Sequence, residues 1–494
     1  MEELNWEKLL SKERERSFGK QPSPKEESSN QDPAIVRNAF DADYDRIVGS
    51  SSVRRLQDKA QVFPLQENDV ARTRLTHSIE VSALAASLGK SVGRMLEGKG
   101  IFRPEQTEEL SSLLRVSGLI HDLGNPPFGH YGETVIQNWF SSWFHSNPFS
   151  DVDTIELTEQ EKNDFLYFDG NVQNLRIVSR LQMLYDTYGA NFTFATLGTI
   201  MKYPWPSHRR KAGKKKFGYF KSEEELARKV RTELGLPENV RHPATYLLEA
   251  ADDIIYLCDD IEDGVKKGYI DWDLEYRQLK DNLKADERMA SLFQKIDSKE
   301  PPQEMDPTEM KTTKVRIFRN AVQSFFFIRA VEEFEKKYDI IMCSASGDEN
   351  TSIELLDCER ALKEELTKIT ARNCFSCREV LSLELIGDKV LKTLLDTFVP
   401  VLIKSTGKEL LNSKTYAGKL YSLISPNFRY IALHSHEKKD PSSNSASSGK
   451  KSEKDLLDEL TPYERLHLVT DFIAGMTDSY AVNLYQDLMG VKLP

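Results

Sequence analysis

The sequence predicts a mainly α-helical protein, and three apolar runs carry that expectation. Leu75, Ile79, Leu84, Leu88, Val92 and Leu96 recur at four- and five-residue steps, the spacing that gives a helix one apolar face. Leu110, Leu113, Leu114, Ile120 and Leu123 mark a second helix. It ends at Gly124-Asn125-Pro126-Pro127, because proline lacks the amide hydrogen that would continue the ladder. A third runs from Tyr246 to Val265, with Leu247, Leu248, Ala251, Ile254, Ile255, Cys258 and Ile261 apolar. Alternating apolar and polar runs are scarce, so only a few short strands are expected.

Composition narrows the class. In 494 residues, 39% are hydrophobic, enough for a sizeable core and too many for a disordered chain. Lys and Arg number 67 against 78 Asp and Glu, a net charge of −11. That balance argues against a protein built only to coat nucleic acid, though not against a local basic groove. The five cysteines, Cys258, Cys343, Cys358, Cys374 and Cys377, suit a reducing cytosol. Cys374-Phe375-Ser376-Cys377 lacks a second pair at zinc-site spacing and reads as packing. The N-terminus lacks a basic-then-apolar signal pattern, and no apolar run reaches about 18 residues. A cytoplasmic protein without a membrane span is expected.

The chain divides into an arm over 1–33, a helical domain over 34–294 and a C-terminal helical region over 295–494. Within the arm, residues 20–33 are rich in Pro, Ser and charge. Residues 436–455 carry almost nothing apolar and read as a solvated loop. No internal repeat is present.

His121-Asp122 closes the apolar run Leu119-Ile120-His121-Asp122-Leu123, where a His and an Asp are costly to bury without partners. Neighbouring helical residues point about 100° apart, so both can reach one ion only if it sits over the helix end. His77 and Asp252 lie on the other two predicted helices and are the candidates to close the shell, with Asp253 as the alternative to Asp252. A mixed His and carboxylate set suits Mn²⁺ or Mg²⁺ foremost, with Fe²⁺, Co²⁺ or Zn²⁺ also compatible. A lone helical histidine is usually a packing residue; the ordered set on three helices is a stronger signal than any member.

That order, His…His-Asp…Asp, is the ligand pattern of the HD superfamily of metal-dependent phosphohydrolases, and longer motifs resemble the dGTP triphosphohydrolases within it. They are Arg54-Arg55-Leu56-Gln57, Gln61-Val62-Phe63-Pro64-Leu65, Arg72 to Ser78 and His121 to Glu133, then Phe168-Asp169-Gly170-Asn171, Lys202-Tyr203-Pro204, Glu249 to Tyr256 and Gly475-Met476-Thr477-Asp478. The similarity is good over about 35–275 and patchy beyond. The family's usual Glu-Gly-Asn is Asp169-Gly170-Asn171 here. The resemblance implies an HD-domain helical bundle with an appended helical region, and hydrolysis of dGTP or other dNTPs to deoxynucleoside and inorganic triphosphate. It implies metal ligands His77, His121, Asp122 and Asp252, with His130 and Glu133 catalytic beside the scissile phosphate. A helix restarting at His130 would put Glu133 on the same face, three residues on.

The resemblance also implies substrate contacts. Asn171, Lys202, Tyr203 and Lys216 match polyphosphate positions, and Gln61 and Val62 match base contacts. Tyr256 matches the sugar position that disfavours a 2′-hydroxyl. Asp252, Tyr256 and Asp260 fall at i, i+4 and i+8 on one helix face; from spacing alone, half-buried core suits Tyr256 equally. Phe375 and Glu384 resemble residues near the nucleotide pocket, given by a neighbouring subunit in a homo-oligomer, a hexamer by resemblance. The run His208-Arg209-Arg210-Lys211 with Lys214-Lys215-Lys216 is usually a solvated loop, and could attract nucleotide or single-stranded DNA as an effector. Two other readings stay open: an HD phosphohydrolase acting on another nucleotide, and a nucleotide-sensing or DNA-binding module.

Overall fold

The computed structural model describes residues 3–18, 37–63, 72–146, 157–182, 186–209, 216–299, 301–302, 304–343, 353–434 and 451–491. The helices that build and support the site are α1 (Ala39–Val48), α2 (Arg74–Gly98), α3 (Pro104–Ile120), α4 (Gly129–His145), α5 (Gly170–Arg176), α6 (Pro243–Lys266), α7 (Pro307–Lys336), α8 (Arg360–Thr370), α9 (Arg378–Lys404), α10 (Pro462–Ala474) and α11 (Asp478–Leu488). The fold is mainly α. Among the described residues no strand forms, only isolated bridges such as Ala60 to Thr73. No described helix is long and apolar enough to cross a membrane.

The three predicted helices are α2, α3 and α6. Each begins with local chemistry that satisfies its free amides. Thr73 makes a capping box with Thr76 at the start of α2, and His242 accepts from Ala244 N–H at the start of α6, where Pro243 fits the first turn. Helix α3 stops at Ile120, so His121 and Asp122 sit just past its end.

The buried face of α2 differs from the expected stripe. Ile79 is 51% exposed, while His77, Ser78, Val81, Ser82 and Ala85 face inward. The reason is close approach to α3: a Cβ on Gly118 would stand 2.7 Å from Ser82 Cα. Small residues are needed there, and the apolar periodicity resumes only at Leu88, Val92 and Leu96, all fully buried. Each such side chain contributes roughly 1.5–3 kcal/mol by leaving water.

Two apolar cores result. One gathers α1, α2, α3, α6, α7 and α8; the other gathers α4, α9, α10 and α11. Neither follows a division at 294/295, since α4 lies with α9 and α10 while α7 packs on α6. Residues 3–18, assigned by sequence to an arm, are packed: Leu4, Trp6, Leu9 and Leu10 are buried, and Trp6 Nε1–H donates to Tyr338 Oη at 2.9 Å. Residues 20–33 and 436–450 lie outside the described residues. Of the predicted 436–455 loop, the last residues instead enter a helix, Glu453–Glu459, opened by a Ser452–Asp455 capping box and anchored by buried Leu457.

Candidate active site

Helices α2 and α6 are pinned by one arginine. The Arg72 guanidinium meets Asp263 at 2.6 Å and Glu262 at 2.9 Å, and its backbone N–H donates to Asp263 at 2.9 Å. This fixes the start of α2 against the last turns of α6 and brings His77 to Asp252. His77 Nε2 lies 3.0 Å from Asp252 Oδ1, and His121 Nε2 lies 3.5 Å from the same oxygen. Ligand atoms of His77, His121 and Asp122 all fall within 4.8 Å of one another. The structure therefore brings the four predicted ligands together from α2, the end of α3 and α6. Asp253 is not part of the cluster: its carboxylate meets Lys363 of α8 at 2.6 Å.

The donor set fits a divalent ion. His121 Nδ1–H donates to the Gly118 carbonyl at 2.8 Å, which leaves the Nε2 lone pair pointing inward. That nitrogen is shut from solvent, without a hydrogen-bond partner among the described residues. A buried lone pair facing two carboxylates is what a cation would satisfy. Without one, the imidazole takes up a proton: burial disfavours the charge, but the Asp252 and Asp122 carboxylates outweigh it and raise His121 to about 9. Burial alone would raise both acids; His121 and His77 hold Asp252 well below the carboxylate range, and Arg74 leads in doing so for Asp122.

Arg74 joins this cluster to the second constellation. Its guanidinium pairs with Asp122, and a Cβ on Gly129 would stand 2.6 Å from its Nη2. Gly129, at φ +59°, opens α4 and is followed by His130. His130 Nδ1 lies 3.1 Å from Glu133 Oε2, as the predicted helix restart requires. Glu133 is buried and its other oxygen accepts Gly170 N–H at 2.7 Å, whereas the His130 side chain is 76% exposed. The Glu133 hydrogen bond raises His130 above its ordinary value, against a smaller opposing effect of burial.

The predicted phosphate contacts already have acidic or polar partners. Asp169 caps α5, accepting from Asn171 N–H at 2.8 Å and Asn171 Nδ2–H at 2.9 Å, and it pairs with Lys216. Lys202 meets Glu249 at 2.9 Å, a carboxylate shared with Arg241 at 2.8 Å, and Asp252 also acts on its charge. The Tyr203 ring lies beneath Arg241, 5.5 Å from its guanidinium carbon. Gln61 Oε1 is buried with no partner among the described residues, and Val62 packs on the first core. Tyr256 is half-buried on α6; Asp260, one turn on, is buried, and burial pushes its carboxyl up to about 8.

Phe375 and Glu384 lie outside this web of contacts. Phe375 is 41% exposed, and Glu384 sits on α9 within electrostatic reach of Tyr131, the residue after His130 in the same chain. Of the basic run, Arg210, Lys211, Lys214 and Lys215 lie outside the described residues, and Arg209 pairs with Glu238 at 3.0 Å. Cys258 and Cys374 are buried, and Cys374 lies beside Gly264, in keeping with packing.

Sequence reasoning did not single out Arg74, Asn125 or Lys59. Asn125 Nδ2–H donates to Asp122, and Lys59 donates to the Asn125 carbonyl. Arg74 stands three residues before His77, one helical turn from a ligand, and that spacing was a usable signal.

A bundle that draws His, His-Asp and Asp from three helices to one point defines a metal-dependent phosphohydrolase of the HD class. An HD domain model matches residues 74–176, and a phosphohydrolase-associated domain model matches 450–487. The chain is 36% identical to a deoxyguanosinetriphosphate triphosphohydrolase-like protein of Listeria monocytogenes, over 99% of this chain and 100% of that one. A protein of the same description from Synechocystis is 32% identical over 99% and 100% of the two chains. The deoxyguanosinetriphosphate triphosphohydrolase of Klebsiella pneumoniae is 32% identical over 92% and 95%. The chain belongs to the deoxyguanosinetriphosphate triphosphohydrolase family, and is a hydrolase.

Proposed function

We propose that this hydrolase acts on deoxynucleoside triphosphates, dGTP foremost, and releases deoxynucleoside and inorganic triphosphate. The observation that carries the reading is the Arg74 bridge, which sets the His130–Glu133 pair beside the four-ligand cluster. In that reading water attacks the α-phosphorus, the bond to the 5′-oxygen breaks, and the departing oxygen takes a proton. His130, kept protonated by Glu133, supplies it. A divalent ion held by His77, His121, Asp122 and Asp252, Mn²⁺ or Mg²⁺ by the chemistry of the donors, would polarise a phosphoryl oxygen and acidify water. Lys202, Lys216 and Asn171 take the polyphosphate by exchanging their carboxylate partners for phosphate oxygens, and Tyr203 joins them. Tyr256 packs against the deoxyribose, Gln61 turns its buried oxygen to the base, and neutral Asp260 lies beyond. In the cytoplasm, with a homo-oligomer as the working form, Phe375 and Glu384 would complete a neighbour's pocket. The exposure of Phe375, Leu381, Leu385 and Ile386 around Glu384, 41% to 70%, supports a surface that associates.

Incubation with each of the four dNTPs and Mn²⁺ or Mg²⁺, with product identification, tests the reading. Triphosphate with deoxyguanosine supports it; orthophosphate assigns a different nucleotide chemistry, and no turnover with a loaded metal site assigns a sensor. Light scattering tests assembly, and an active monomer rejects it.

A further inference from the structure

We infer that Asp478 is a positioning residue for His130, acting from the C-terminal segment through the backbone of the turn that precedes α4. The inference rests on the proposed role of His130 as the proton donor. Phe128 N–H donates to Asp478 Oδ1 at 2.9 Å, and Ala60 N–H donates to Oδ2 at 3.0 Å. One carboxylate, 2% exposed, thus holds both the turn before His130 and the residue before Gln61.

That turn needs holding. Phe128 is the N-cap of α4, yet no side-chain bond caps the helix there. Its φ of +63° is left-handed, a region a bulky residue rarely adopts, and Gly129 follows at +59°. Two successive left-handed residues swing the chain sharply just before the imidazole. Locally, Gly129 N–H closes the turn onto the Pro126 carbonyl at 3.1 Å, but the Phe128 amide turns to a distant acceptor. Asp478 fixes the swing from the amide side, and the Phe128 ring packs against Gly387 of α9, where a Cβ would stand 2.7 Å from ring Cγ. Lys59, also buried, completes the lacing. Its ammonium donates to the Asn125 carbonyl and, at 3.1 Å, to the Ala474 carbonyl, and it balances the Asp478 charge. Residues 59–60, 125–128 and 474–478 are therefore tied to one another at each contact. Asn125 in turn holds Asp122, so the tie ends at the metal cluster.

Asp478→Asn tests this. Its amide oxygen can accept one of the two N–H groups, while its NH₂ opposes the other. With metal content unchanged, kcat on dGTP should fall about 10-fold or more, and KM should change less. In a His130→Ala background the same substitution should cost roughly twofold or less, because residues that act through one another are non-additive. Equal losses in both backgrounds would make Asp478 a general stability residue and overturn the inference, as would an unchanged kcat. Asp478→Glu keeps the charge opposite Lys59 and shifts the acceptors by one methylene; it should show a smaller loss with the same non-additivity. Hydrogen exchange gives a readout independent of turnover: amides of 57–63 and 125–133 should exchange faster in Asp478→Asn, and those of 110–120 should not. Unchanged exchange in 125–133 overturns the inference whether or not dGTP is a substrate. A His130→Ala protein with full activity instead removes the reading of His130 itself.

Discussion

Glu133 holds His130 with one carboxylate oxygen, at 3.1 Å, while its other oxygen is held by the Gly170 amide at 2.7 Å. The acid cannot swing away without breaking a buried bond, so the imidazole it steadies is exposed yet oriented.

This arrangement makes the pH profile informative. The Glu133 bond raises His130, so its proton persists above the ordinary value of 6.5. Activity that needs the proton should fall as pH rises through that higher value. Glu133→Gln should move the falling limb to lower pH, and His130→Ala should lower turnover about 10²-fold or more with metal content unchanged. The pair's stabilising contribution follows the same sign: present below the unfolded value, lost as pH rises through the folded one. An alkaline limb that stays put in Glu133→Gln excludes His130 as its source.

The metal-free protein should carry a pH signature that loading removes. With His121 raised from 6.5 to about 9, its imidazolium stabilises the fold fully below 6.5, and that contribution disappears as pH rises through 9. Thermal unfolding after chelation should therefore show Tm falling across this window. With Mn²⁺ bound, Nε2 has no proton to lose, and the fall should be shallower. Parallel Tm curves with and without metal would remove His121 from the ligand set.

Tyr256→Ala should weaken discrimination between dGTP and GTP. Tyr256 is the half-exposed aromatic on the α6 face that carries Asp252 one turn earlier. An unchanged ratio of the two kcat/KM values leaves Tyr256 as a packing residue.

Gly118→Ala should damage fold and metal site together. The new methyl would meet Ser82 at 2.7 Å from Cα and 2.9 Å from N, which is backbone and cannot rotate aside. A loss of about 1–3 kcal/mol is expected from such overpacking. The Gly118 carbonyl also orients His121, so Mn²⁺ affinity should fall in the same variant. Wild-type urea stability would mean that α2 and α3 can part freely.

The helices were legible because apolar periodicity is written locally, and the candidate ligands because they fall in order on three such helices. Periodicity marks α2, α3 and α6, and His77, His121-Asp122 and Asp252 lie one set to each. What stayed hidden depends on which faces meet. Ile79 fits the apolar rhythm of α2 but is 51% exposed, because small residues were needed against Gly118. Trp6, Leu9 and Leu10 form too short a run to announce a packed segment, and the residues that receive it, Phe102, His242 and Tyr338, are distant in sequence. The Lys59, Asn125 and Asp478 contacts join residues far apart in sequence, and no spacing rule encodes them. The helix Glu453–Glu459 was obscured by its charge, with a single buried leucine to betray it.

The Phe128–Asp478 bond also sets an order of events during synthesis. Its two ends stand 350 residues apart in the chain. At about 5–20 residues per second, a ribosome takes roughly 20–70 s to cover that distance. Helices α2 and α3 are made before the interval opens and α6 within its first half, so all four candidate ligands precede the carboxylate that ties the turn before His130, which comes at its close. A chain still on the ribosome can thus bring its four candidate ligands together well before the turn that carries His130 is tied.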